Sequence, residues 1–240
     1  MQKSDIDSTT SNLQTANTVQ EPRLSSFSEE ISVEAAPRLD QSEIRRKALH
    51  MLPGVAPFLL AVTPHGPTML RKDLIFVSVV IIIFTSLFLF FRKHVEREGE
   101  TNLLSTVYTY GAVVAAVLFL FREHAEFASV VTVIIAFGDS AAHIGGKLFG
   151  KTKLPWNPDK SWMGMFCFIL FSAPFAALVF YMESRPSTTI QLAIACGFIA
   201  SIAGCLAESI NTTLTDNLRV GVASAAGVAI SFFALQGILA

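Results

Sequence analysis

Residues 74–91 read LIFVSVVIIIFTSLFLFF, a run without a single charge. A stretch of this length and composition reads as a transmembrane helix, because about 20 apolar residues rising 1.5 Å each cross the hydrocarbon core. Lipid offers no hydrogen bonds, so only a helix or a closed barrel can satisfy its own backbone there. The pattern recurs. From Glu43 onward there are about seven candidate spans, near 49–63, 73–91, 104–121, 126–146, 162–182, 189–207 and 219–239. Pro53, Gly54, Pro57 and Pro64 interrupt the first, which reads as a broken, tilted or re-entrant helix. Charged residues make up 15% of the chain, against about 25% in soluble domains, and they cluster between the apolar runs. The expected fold is all-α, a polytopic transmembrane helix bundle of about seven spans.

Orientation follows from Lys and Arg in the short connections. With the N-terminus in the cytoplasm, the inner segments hold Arg45, Arg46, Lys47, Arg92, Lys93, Arg97, Lys147, Lys151, Lys153, Lys160 and Arg219. The outer ones hold Arg71, Lys72, Arg122 and Arg185. Eleven against four gives N-in and C-out. Residues 1–40 are polar, carry seven acidic residues and show no periodic apolar pattern. The expectation is a disordered tail, neither a signal nor a transit peptide, ahead of a membrane-embedded catalytic domain over 41–240. No basic patch with interleaved aromatics points to nucleic acid, and no protein partner can be inferred. Cys167, Cys196 and Cys205 lie in apolar runs and read as small buried hydrophobes.

Four polar clusters need explaining, and all fall at the expected cytoplasmic face. Asp139 lies in or near span four, flanked by Gly138 and Ser140. A carboxylate inside a membrane helix costs about 2.5–3.5 kcal/mol on insertion scales, so it should face protein, water or a metal. The plain alternative is an ion pair with Lys147 or Arg219. The loop GGKLFGKTKLPWNPDKS carries Lys147, Lys151, Lys153, Asn157, Lys160 and Ser161, and lysines with free backbone N–H groups suit a polyphosphate. It has no Walker A spelling, and a simple lipid-phosphate anchor would explain its first lysines. In AESINTTLTDNLRV, Glu208, Asp216 and Asn217 offer oxygens that suit Mg²⁺. In SEIRRKALHMLPG, Glu43, Arg46, Lys47 and His50 recur every three or four residues and share a helix face. His65, His94, His124, His143 and the stretch 92–102 carry no chemistry on sequence grounds.

Taken in order, the four clusters resemble the polyprenol kinase family: dolichol kinase, phytol and farnesol kinase, and CTP-dependent diacylglycerol kinase. Glu43, Arg46, Lys47 and His50 are similar to the family's E-x-x-R-K-x-x-H. Gly138, Asp139, Gly146, Phe149 and Gly150 resemble its G-D with G-x-x-F-G. KLPWNPDKS is close to the phytol-kinase K-L-P-Y-N-x-x-K-S, and AES with DNL resembles E-S with D-N-L. The resemblance implies transfer of the terminal phosphate of a nucleoside triphosphate, often CTP, to the hydroxyl of an isoprenoid alcohol or diacylglycerol. It implies Asp139 and His50 in catalysis and Asp139, Glu208 and Asp216 on Mg²⁺. It implies Lys147, Lys153, Asn157, Lys160, Ser161 and Asn217 on the nucleotide. The chain departs from the family where Trp162-Met163-Gly164-Met165 follows Lys160-Ser161, and where Ala142-His143 replaces an acid.

Two rivals differ in what they require. Phosphatidate cytidylyltransferases share the middle segment and also use CTP, but their C-terminal H-G-G and D-R-x-D signature has no counterpart at 208–220. A small-solute transporter would suit a broken first span and an intramembrane Asp139, yet no inverted repeat is visible and the polar residues gather at one face.

Overall fold

The computed structural model describes residues 39–62, 71–90, 103–184 and 188–239. The polar tail, apart from its last two positions, lies outside the described residues, as do 92–102, His65 and His94. Helix α1 (Gln41–Met51) continues through a 3₁₀ turn at Leu52–Val55 into the short α2 (Ala56–Ala61). Pro53 and Pro57 cannot donate to the helical ladder, so the break falls where the sequence places it. Helix α3 is Arg71–Phe90 and α4 is Leu103–Leu120. Helix α5 (Ala125–Val133) runs through a π-helical turn, Ile134–Gly138, into α6 (Asp139–Phe149). Then come strands β1 (Lys153–Leu154) and β2 (Asn157–Ser161), followed by α7 (Trp162–Ser184), α8 (Ile190–Ser209) and α9 (Asp216–Leu239).

The chain is mostly helical, as expected, with one correction. An all-α fold leaves no room for strands, yet residues 153–161 close an antiparallel hairpin that pairs Lys153 with Ser161 and Leu154 with Asn157. The prolines in KLPWNPDKS bar a helix there, and a chain that must return from α6 to α7 satisfies its backbone by pairing with itself.

Among the described residues, four helices are long and apolar enough to cross a membrane: Ala125–Phe149, Trp162–Ser184, Ile190–Ser209 and Asp216–Leu239. The apolar part of α4, Ser105–Leu120, is shorter. Their outer faces carry Phe166, Phe171, Leu178, Ile194, Phe198, Val222, Ile230 and Ile238, all exposed. A water-soluble monomer rarely shows so large a contiguous apolar surface. The inner faces meet in a core where Phe127, Val130, Ile134, Phe168, Phe180, Leu192 and Val228 are fully buried or nearly so.

Close helix approach depends on glycine. A Cβ at Gly197 of α8 would stand 2.5 Å from the Ala177 backbone nitrogen and 2.7 Å from its Cα on α7. A Cβ at Gly138 would enter the Phe168 ring at 2.7 Å. At the end where the polar residues lie, a Cβ at Gly145 would stand 2.3 Å from the Cys167 sulfur and one at Gly164 3.1 Å from the Ala142 carbonyl, so α6 and α7 approach closely there.

Candidate active site

The π-helical turn ends one residue before Asp139. Such a turn inserts an extra residue into the helix and re-aims the side chains that follow it. Here it delivers Asp139 toward α1. Lys47 donates to Asp139 Oδ2 at 2.7 Å, with both side chains largely buried. The partner is therefore Lys47, across 92 residues of sequence, and neither Lys147 nor Arg219. Lys147 pairs instead with Glu43, and Arg219 with Asp216. His50, one turn beyond Lys47, holds its Nε2 at 3.5 Å from the same carboxylate oxygen, and that nitrogen has no hydrogen-bond partner. The His50 ring stacks on Tyr110 of α4 at 5.8 Å. Tyr110 in turn donates its hydroxyl to the Thr132 carbonyl at 3.0 Å.

Glu208, at the end of α8, is buried with 2% of its surface exposed. Asp216 opens α9. Together with Asp139 they place one oxygen each within 4.8 Å of one another. Three carboxylates so close repel strongly, and Lys160 compensates by donating to Glu208 and lying 3.6 Å from Asp216 Oδ2. Burial alone would lower the Lys160 pKa. The Glu208 and Asp216 charges outweigh burial and hold it above the ordinary lysine value, so the side chain remains an ammonium.

The hairpin carries Lys160 to this position and is fixed by its own polar residues. Asn157, 3% exposed, donates to the Ser209 carbonyl at 3.0 Å and accepts from the Asp159 N–H. Trp156 donates its indole N–H to the Ser209 hydroxyl at 3.3 Å. Ser161 accepts the Gly164 N–H at 3.1 Å and caps α7. A Cβ on Gly146 would come within 3.1 Å of its oxygen. Asn217 donates to the Thr106 carbonyl at 2.9 Å, tying α9 to α4.

These groups line one end of a cavity of about 1100 Å³. His50, Lys147, Lys153, Lys160, Ser161, Asn217, Asp139, Glu208 and Asp216 all face it. Asn157 does not, and its amide serves to anchor the hairpin on α8. The remainder of the cavity is mostly apolar, with Pro53, Pro57 and Leu60, Phe76, Val77, Val80 and Ile81, and Val114 and Leu118 on α4, while Thr85, Ser129, Thr132 and Glu183 also line it.

A family model described as the cytidylyltransferase family matches residues 33–210. Phytol kinase 1 of Arabidopsis thaliana is 30% identical over 210 residues, covering 80% of this chain and 67% of its own. A probable phytol kinase 2 of Oryza sativa is 29% identical, covering 77% and 64%. Farnesol kinase of Arabidopsis thaliana is 29% identical over 146 residues, covering 55% and 45%. The chain belongs to the cytidylyltransferase family and, within it, to the polyprenol kinases. It spans about two thirds of the length of the phytol kinases, and no solved structure matches it.

The cavity also holds residues to which the sequence assigned no chemistry. His143 lies one helical turn after Asp139, faces the cavity and leaves its buried Nε2 without a hydrogen-bond partner. Its signals in the sequence are its i+4 relation to Asp139 and its place where the resembling family carries an acid. Tyr110 gives no sequence signal at all, since an aromatic in an apolar span looks like core.

Proposed function

We propose that this protein is a membrane lipid kinase that transfers the terminal phosphate of a nucleoside triphosphate, CTP, to the hydroxyl of a prenyl alcohol. The observation that carries this reading is a cavity whose charged residues gather around Asp139, Glu208 and Asp216 and whose other walls are mostly apolar. A kinase of this class must seat a polyphosphate and a hydrocarbon chain with their reactive ends in contact. The phytol and farnesol kinase relatives support the acceptor class.

In this reading, residues 41–240 form the membrane-embedded catalytic domain, crossing the bilayer about seven times, N-in and C-out. The active end then faces the cytoplasm, where nucleotides are. The exposed apolar faces of α7, α8 and α9 support membrane burial, and the Lys and Arg bias supports the orientation.

Asp139, Glu208 and Asp216 fit a divalent cation, since three hard oxygens within 4.8 Å are the ligand type Mg²⁺ takes. Bound there with the nucleotide, Mg²⁺ would neutralise charge on the phosphate oxygens. Phosphoryl transfer is otherwise largely positioning. Lys160, held by Glu208 and Asp216, is placed to turn toward the phosphates, and Lys147, Lys153, Ser161 and Asn217 line their approach. Asn157 acts by holding the hairpin. Lys47 fixes the Asp139 carboxylate. His50, at the junction of the charged and apolar parts, takes the acceptor's hydroxyl proton. The Asp139 carboxylate then stabilises the imidazolium. The acceptor oxygen bonds to the terminal phosphorus as the bond to the diphosphate leaving group breaks.

The test is transfer of label by purified protein with Mg²⁺ and CTP labelled at the α or the γ phosphate. Acceptors are phytol, farnesol, a long polyprenol, diacylglycerol and phosphatidate. Label moving from the γ position into an alcohol supports the kinase. The family's cytidylyltransferase description favours a second reading, in which label passes from the α position into phosphatidate; that result would overturn the first.

A further inference from the structure

Arg219 stands behind the three carboxylates rather than among them. Its side chain, in the first turn of α9, is 10% exposed and does not line the cavity, so it cannot touch a ligand held there. It reaches back to the end of α8. Nη1 donates to the Ala207 carbonyl at 2.9 Å and also to the Ile210 carbonyl. Nη2 donates to Asp216 Oδ1. Ala207 and Ile210 flank Glu208 in the chain, so one guanidinium ties the backbone around one site carboxylate to the side chain of another. The loop 210–215 between them is irregular, and a planar fork across its base fixes how far apart its two ends stand. The same fork divides Asp216. Oδ1 is taken by Arg219, whereas Oδ2 is the oxygen that faces Lys160 at 3.6 Å.

We infer that Arg219 is the positioning residue that decides which divalent cation this site takes, favouring a strictly octahedral ion of the Mg²⁺ type over Ca²⁺. The inference rests on the cation reading of Asp139, Glu208 and Asp216 given above. Ca²⁺ takes about six to eight oxygens, often from bidentate carboxylates, and tolerates a flexible cage, whereas Mg²⁺ demands near-ideal octahedral geometry. Holding back Oδ1 removes the second oxygen that a bidentate Asp216 would give. Fixing the ends of the loop removes the slack that a larger ion needs. The bare charge of Arg219 acts the other way on affinity, since a guanidinium repels every cation near it. Position and charge therefore predict opposite results when Arg219 is replaced.

The experiment titrates Mn²⁺, an ion of the same oxygen-ligand class that EPR reads directly, into the full-length protein in detergent without nucleotide. Bound Mn²⁺ is then displaced with Mg²⁺ or Ca²⁺. Wild type should bind Mn²⁺, and Mg²⁺ should displace it at lower concentration than Ca²⁺. Arg219→Lys keeps the charge and loses the fork; Arg219→Met loses both. Each variant should bind Mn²⁺ at least about tenfold more weakly and raise the ratio of Ca²⁺ to Mg²⁺ affinity at least about tenfold, the scale on which hydrogen-bond partners of metal ligands act. If Arg219 only caps α8, the variants lower Tm and move neither quantity in the folded protein. If it acts by charge alone, Arg219→Lys behaves as wild type and Arg219→Met binds every ion more tightly. Either result would overturn the inference while leaving the cation site in place. The wild-type displacement order needs no variant, so Ca²⁺ displacing Mn²⁺ ahead of Mg²⁺ refutes the inference even if neither variant folds. No Mn²⁺ binding by wild type would overturn the cation reading and this inference together.

Discussion

Replacing Lys160 with Met tests the charge balance of the site most directly. Lys160 is the counter-ion of Glu208 and Asp216, two of three carboxylates whose oxygens lie within 4.8 Å, and two unit charges at that distance repel by about 3.5 kcal/mol at an effective dielectric of 20. Asp216 is 43% exposed, so its share is screened. The Glu208 side chain is 3% exposed and keeps most of the effect. Methionine preserves the length of the side chain and removes the charge. Leaving a buried carboxylate without its partner costs about 3–5 kcal/mol in comparable pairs. A loss of about 3 kcal/mol corresponds to a Tm roughly 6–12 °C lower for a chain of this size. A divalent cation can take over the role of the lysine. At a hundred times its Kd, Mg²⁺ returns about 2.7 kcal/mol. The assay is thermal unfolding of K160M and wild type in the same detergent, with Mg²⁺ or with chelator. The variant should be less stable in chelator and should recover far more than wild type when Mg²⁺ is added. If Mg²⁺ shifts both proteins equally, the three carboxylates do not form a cation site, and the charge argument fails.

Other predictions follow from the same contacts. Asp139→Asn keeps the shape but removes the charge that Lys47 and His50 face; phosphoryl transfer should fall at least about a hundredfold, and unchanged turnover would remove Asp139 from the mechanism. Lys160 is held above the ordinary lysine value, so its ion pairs contribute fully below pH 10.5 and weaken only as pH rises through the elevated value. The stability gap between wild type and K160M should therefore stay constant between about pH 7 and 9 in chemical denaturation, and a gap that narrows across that range would contradict the assignment. Gly197→Ala places a methyl 2.5 Å from the Ala177 backbone nitrogen, which has no side chain to move aside; about 1–3 kcal/mol of stability should be lost with no shift in acceptor preference. Ser161→Ala removes the acceptor for the Gly164 N–H and should cost about 0.5–2 kcal/mol, read as a lower Tm.

Sequence alone determined the helices, and did so because lipid solvation is severe. A run such as 74–91 admits one backbone solution, and the ends of the later spans fall within a few residues of α7, α8 and α9. The break after Met51 was legible for an equally local reason, since proline cannot donate to the helical ladder. Spelling and order also marked the residues around the site, because four short motifs along one chain identify a family even when each is weak. The partners were not legible. The plain alternative for Asp139 was a pair with Lys147 or Arg219, and its carboxylate meets Lys47 of α1 instead. Asn157 carries a motif position, and its donation to the Ser209 carbonyl of α8 had no signal in the sequence. His143 and Tyr110 looked like ordinary helix residues and stand in the cavity. The difference is physical. Secondary structure in lipid is decided residue by residue against the solvent, whereas an ion pair is decided by which helix faces meet. Those faces were set by glycines small enough to let α6, α7 and α8 touch, and by one π-helical turn that rotated Asp139 toward α1.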